Sequence, residues 1–233
     1  QMSCVKDKSA NLKKAVEKEK LKEEKYSFNE EELRPYFKLE NVVAGVFEHA
    51  KKLYGLTFKE NNKIPVYHPE VKAYEIFDSA NKYMGLFYTD FFPRATKKSG
   101  AWMTTFREQG LHDGQIRRPH VAIVCNFTKP TTTKPSLLTY NEVRTLFHEF
   151  GHALHGILAE GNYPSVTGTS VYWDFVELPS QIMENWAGEK EGLDVFAKHY
   201  ETGAPIPTEL VEKLKRAQKF QTGLMMMRQI QFS

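Results

Sequence analysis

The sequence predicts a mainly α-helical fold with one small β-sheet set beside its most distinctive helix. Three observations carry this reading. Apolar residues recur at helical spacing over residues 39–54, 140–159 and 208–232. Short β-branched or aromatic runs, bounded by Pro, Asn, Asp and Gly, fall between residues 64 and 88. The strongest strand signal, residues 120–127, comes just before the best-formed helix, with only a Pro-Thr loop between them.

Residues 6–25 are dominated by Lys and Glu, with Leu12, Ala15, Val16 and Leu21 as sparse apolar points. They read as a charged helical lead-in whose ions form a solvated face. Asn29 followed by Glu30, Glu31, Glu32 and Leu33 opens a second helical signal, interrupted by Pro35. Val42, Val43, Val46, Phe47, Ala50 and Leu53 then mark a helix that ends at Gly55. Three short strands are expected at residues 64–67, 74–77 and 84–88. Residues 95–119 are polar, contain Gly100, Gly110 and Gly114, and read as a long mobile loop. After the strand at 120–127 come helices at 140–159, roughly 175–200, and 208–232. The last carries a stripe of Leu210, Val211, Leu214, Ala217, Phe220, Leu224 and Met227, with no Gly, Asn or Pro to close its final turn. The chain therefore reads as a fragment, and Met225, Met226 and Met227 as helix packing.

Composition excludes several classes. The chain has 233 residues, 41% apolar and 26% charged, with a net charge of +3. That balance gives no electrostatic case for nucleic acid or for a membrane surface. No run reaches the length of a transmembrane helix. Cys4 and Cys125 are too few and too differently placed for a disulfide framework, which fits a reducing compartment. A cytoplasmic location is expected, or a periplasmic one if a signal segment has been removed. The sequence sets no oligomeric state.

One motif carries chemistry. His148-Glu149-Phe150-Gly151-His152 is an HExxH sequence. On a helix, four residues advance about 400°, so His148 and His152 share a face one turn apart and can bind one Zn²⁺. Glu149 is rotated by about 100°. It can reach a water beside the metal without binding the metal itself, which makes it the candidate general base. Thr139 and Glu142 supply a capping box at the helix start. Gly151 costs about 1 kcal/mol inside a helix, and close backbone packing would explain it. His155 lies one turn beyond His152. It is read either as a contact to substrate or to the metal ligands, or as a satisfied core histidine.

A catalytic zinc site takes three protein ligands and keeps a position open. The candidate segment is Asp174-Phe175-Val176-Glu177-Leu178-Pro179-Ser180-Gln181-Ile182-Met183-Glu184. Glu177 and Glu184 are seven residues apart and share a helical face with Gln181 between them. Geometry alone allows either glutamate as the ligand.

These residues resemble the thimet oligopeptidase family, nearest its bacterial peptidyl-dipeptidase branch. The resemblance rests on Leu146-Phe147 and the HExxH helix through His155, on Gly168-Thr169, and on the segment from Asp174 to Gln181. Shorter matches are at residues 64–69, 90–92 and 124–127. It implies a zincin-like helical catalytic lobe, with residues 26–233 forming part of a metallopeptidase catalytic domain truncated at its C-terminus. It implies Glu177 as the third ligand of one zinc ion, leaving Glu184 and Gln181 behind the ligands or in contact with substrate. Short unstructured peptides are the implied substrates. In the family the strand before the metal helix pairs with the substrate backbone, which would give residues 120–127 that role here, Val121 and Ile123 among them; the alternative is that this strand is simply sheet core. The family's further His and tyrosine pair lie downstream of this chain's last residue. The loop around Lys97, Lys98, Ser99 and Gly100 is read as a flap over substrate or a plain surface loop. Tyr172 and Trp173 are expected to pack, or to form channel wall.

Overall fold

A computed structural model describes residues 29–232 together with Glu17, Lys20 and Leu21. Most of the charged lead-in at 1–25, and Cys4, lie outside the described residues; Glu17, Lys20 and Leu21 are helical and exposed.

Asn29 accepts a hydrogen bond from the Glu31 amide at 2.9 Å and starts a 3₁₀ turn over Glu30–Tyr36 that accommodates Pro35. Helix α1, Leu39–Tyr54, buries Leu39, Val42, Val46 and Ala50. Gly55 ends it in the left-handed conformation (φ 69°), which glycine adopts without a Cβ clash.

The sheet is larger than expected. Its strands are β1 (Thr57–Glu60), β2 (Lys72–Phe77), β3 (Tyr83–Asp90), β4 (Trp102–Arg107) and, after a separate hairpin of β5 (Gly110–His112) and β6 (Gln115–Arg117), β7 (His120–Val124). The order is β1-β2-β3-β7-β4. The β3–β7 pair is parallel and the other pairs are antiparallel. Two expectations are corrected here. Residues 95–119 are not one loop, because β4 pairs with β7 and the Asp113-Gly114 turn (φ 50° and 77°) closes a hairpin. Residues 64–67 form no strand, since Pro65 cannot donate to a ladder.

Helix α2, Tyr140–Ile157, has the expected capping box: the Glu142 amide donates to Thr139 Oγ1, and the Thr139 amide donates to Glu142 Oε2. Val143, Leu146, Phe147, Phe150, Ala153, Leu154 and Ile157 are buried on one face of the sheet. The Phe150 ring meets Phe87 at 5.6 Å and Phe58 at 5.7 Å between centroids. This aromatic layer seats the metal-motif helix and fixes its rotation about its own axis.

The region expected as one helix at 175–200 is broken into α3 (Trp173–Val176), α4 (Leu178–Glu184), a 3₁₀ turn (Asn185–Ala187) and α5 (Lys190–Phe196). Pro179 sits in the first turn of α4, where its missing amide costs nothing. The stretch 208–232 is also two helices, α6 (Thr208–Gln218) and α7 (Thr222–Ile230), separated at Gln221 (φ 57°). Helix α6 buries Leu210, Val211, Leu214 and Ala217, whereas no residue of α7 is buried. Met225, Met226 and Met227 are therefore exposed rather than packed. Among the described residues, no helix is long and apolar enough to cross a membrane.

Candidate metal centre

The site forms where α2 and α4 touch. A Cβ on Gly151 would lie 2.5 Å from Ser180 Cα and 2.6 Å from the Pro179 carbonyl oxygen. The glycine in the motif therefore lets two backbones approach, and this brings the residue before α4, Glu177, over the histidine face. Gly151→Ala is expected to destabilise the chain by roughly 1–3 kcal/mol, because backbone rather than a flexible side chain must give way. It should also weaken metal binding by displacing Glu177. Denaturant unfolding and metal titration of the variant check both effects; unchanged metal affinity would show that the close approach does not set the site.

His148 Nε2 lies 3.2 Å, and His152 Nε2 3.1 Å, from the same oxygen, Glu177 Oε2. Ligands on a tetrahedral zinc with bonds of 2.0–2.2 Å are separated by about 3.3 Å. Two imidazole nitrogens and a carboxylate oxygen are also the donor types that zinc takes. The residues present therefore fit the ion. The carboxylate of Glu177 is itself held by Ser180, whose buried hydroxyl lies 2.8 Å from both Glu177 Oε2 and the Glu177 carbonyl and shares its one proton between them. Sequence reasoning assigned Ser180 no role. The available signal was a serine three residues after a glutamate at a helix start, where the hydroxyl bonds back to the preceding turn.

The far nitrogen of His148, Nδ1, lies 2.7 Å from Glu184 Oε1. Arg144 grips the other Glu184 oxygen from Nε at 2.6 Å and Nη2 at 2.5 Å. Arg144 and His148 stand one turn apart on α2, so one carboxylate on α4 bridges both. The hydrogen bond to Glu184 raises the His148 pKa, against the effect of burial. Burial pushes Glu184 up, but the bonds from His148 and Arg144 outweigh it and hold the carboxyl below its ordinary range. His152 is lowered by burial, and its Nδ1 is buried without a protein partner.

Glu149 is buried, at 6% exposure, and lines a cleft of about 310 Å³ with Ala101, Asn141, Thr145 and His148. Burial raises its pKa, with His148 and the Met103 backbone on β4 pulling the other way. Strand β4 is thus the strand beside this carboxylate.

The remaining candidates separate. Gln181 is exposed and lines a neighbouring polar cleft with Arg144 and Glu184. His155 is half-buried beside the Phe175 ring, 6.0 Å between centroids, and its Nδ1 has no protein partner. Val121 and Ile123 are fully buried on β7. Because β7 pairs with β3 on one side and β4 on the other, it has no free edge, and the pairing with a peptide expected there is not available. Tyr172 and Trp173 are 87% and 91% exposed, so they do not pack as expected, and the alternative of a channel wall is the one this exposure allows.

Comparison with known proteins gives a consistent pattern. The profile of peptidase family M3 matches residues 17–233. Oligopeptidase A of Salmonella typhimurium is 45% identical over 216 residues, covering 92% of this chain and 32% of that protein. Dipeptidyl carboxypeptidase of the same organism is 46% identical over 206 residues, covering 88% and 30%. Organellar oligopeptidase A of Arabidopsis thaliana is 42% identical over 222 residues, covering 92% and 28%. The chain spans about a third of the length of these relatives.

Proposed function

Since this chain belongs to peptidase family M3, we propose that it carries the zinc site and proton-transfer group of a peptidase that hydrolyses short unstructured peptides. The observation that carries this reading is the convergence of His148, His152 and Glu177 beside a buried Glu149.

In this reading His148 Nε2, His152 Nε2 and a Glu177 oxygen hold one zinc ion per chain. Zinc held there supplies Lewis-acid chemistry towards a peptide carbonyl and towards water. The chain's own residues do the rest. Glu149 takes the proton of the attacking water on its carboxylate and later hands it to the leaving nitrogen. Ser180 fixes which Glu177 oxygen faces the histidines. Glu184, steadied by Arg144, keeps the proton of His148 on Nδ1 and so leaves Nε2 free as a ligand.

The substrate backbone is assigned to β4 rather than to β7. Strand β4 ends the sheet, so its outer amides and carbonyls have no strand partner, and Ala101 and Met103 stand beside Glu149. Main-chain pairing along that edge binds peptides with few demands on side chains. The two bacterial activities are matched at 45% and 46% identity, so both internal cleavage and release of C-terminal dipeptides fit the chain. A reducing compartment such as the cytoplasm suits the buried free thiol of Cys125.

A second reading for the chain on its own is zinc and peptide binding with slow turnover. One experiment addresses both. The zinc-loaded chain is mixed with an internally quenched peptide, with and without a chelator. Cleavage that the chelator abolishes and added zinc restores is expected under the first reading. Zinc and peptide binding without cleavage supports the second. Cleavage indifferent to the chelator removes the metal from the reaction.

A further inference from the structure

The turn leading into β4 is held by a buried charge cluster that the reaction does not use. Asp90, at the end of β3, is 1% exposed. Its carboxylate accepts from Arg94 Nη1 and Nη2 at 2.8 and 2.9 Å, from Lys97 Nζ at 2.9 Å and from the Tyr67 hydroxyl at 3.0 Å. The Lys97 side chain is only 2% exposed. Its ammonium also donates to the carbonyls of Asp90 and Phe92, so every proton it carries has an acceptor. A lysine is almost never this buried unless it is paired. The expectation of a flap around Lys97 is thereby answered: its ammonium is tied down at three oxygens.

A second tether completes the turn. Asn126, just past β7, donates from Nδ2 to the carbonyls of Lys98 at 2.8 Å and Gly100 at 2.7 Å. Gly100 (φ 97°) hands the chain to Ala101, which lines the Glu149 cleft, and then to Trp102, paired with Val124. Strand β4 is otherwise held by its ladder with β7, by Met103 against the core and, at its far end, by Arg107, which donates to the Arg118 carbonyl; the 91–100 turn is what fixes its Ala101 end. None of its residues is buried, and it pairs on one side only.

We propose that Asp90 and Asn126 are positioning residues that lock the 91–100 turn and so set the edge strand β4 against Glu149. The proposal rests on the reading that β4 receives the peptide. The cluster contacts neither α2 histidine nor Glu177, so its loss should separate peptide binding from metal binding.

The test uses the zinc-loaded chain with Lys97→Met and Asn126→Ala, the latter leaving every buried charge paired. Amide hydrogen exchange over Trp102–Arg107 should quicken by about tenfold or more relative to β3 and α2, as local opening becomes easier. Zinc affinity should stay within about twofold, while the KM of a quenched peptide rises more than kcat falls. Unchanged exchange at β4 in Asn126→Ala, or a rise matched on β3 and α2, overturns the proposal. A chain that takes no zinc and cleaves no peptide defeats the peptidase reading instead, and the exchange measurement then still decides whether the lock exists.

Discussion

Glu149→Gln is expected to lower peptide hydrolysis by about 10²–10⁴-fold while the chain still binds one zinc ion. The substitution keeps the shape of the side chain and removes only its ability to hold a proton. Glu149 is not one of the three groups that converge, since His148, His152 and Glu177 meet without it. Its carboxylate faces the cleft from the adjacent helical position, against Ala101 and the backbone of Met103. Zinc stoichiometry and affinity should therefore change little, and the loss should fall on kcat. Parallel measurement of zinc content and quenched-peptide cleavage checks this. Hydrolysis that survives intact takes the proton away from Glu149, and zinc lost with activity makes the residue part of the metal shell.

The metal helix was legible because its signals are local. The capping box, the apolar stripe and the HExxH spacing all fall within one 18-residue helix, Tyr140–Ile157. Even the cost of Gly151 pointed correctly to a close backbone approach, though not to its partner, the Pro179-Ser180 backbone. Strand β4 was missed for the opposite reason. An edge strand with nothing buried shows no apolar alternation, and only pairing with β7, distant in sequence, makes it a strand. The same non-locality hid the flanks of β7. Residues 120–127 gave the strongest strand signal because both faces of the strand are buried; that they have no edge to offer has a separate cause, the pairing of β7 with β3 and β4, which the run itself does not show. Helix α7 has an apolar stripe that sequence reads as packing, yet none of its residues is buried among the described residues. Periodicity shows that a face is apolar and does not show what covers it.

Replacing Glu177 and Glu184 separately should weaken zinc binding to different extents and divide their roles. The two share a helical face, so spacing alone cannot rank them. What distinguishes them is the nitrogen each one meets. Glu177 Oε2 lies near the Nε2 atoms of both histidines, whereas Glu184 Oε1 faces only His148 Nδ1, across the ring from Nε2. An ion shared by both imidazoles at Nε2 is within reach of the first carboxylate, while the second lies behind the ring. Apparent zinc affinities of 10–16 kcal/mol for four-ligand sites imply roughly 10²–10³-fold per ligand, the loss expected for Glu177→Ala. Loss of a carboxylate that orients a ligating histidine costs about 10–100-fold, the loss expected for Glu184→Ala. Glu184→Gln should recover part of it, because the amide oxygen still accepts from Nδ1, and Arg144→Met should cost less than Glu184→Ala, because the His148 bond remains. Zinc titration against a competing chelator across the four variants tests the ranking. Equal losses at Glu177 and Glu184 would undo this division of roles, and a greater loss at Glu184 would reverse it.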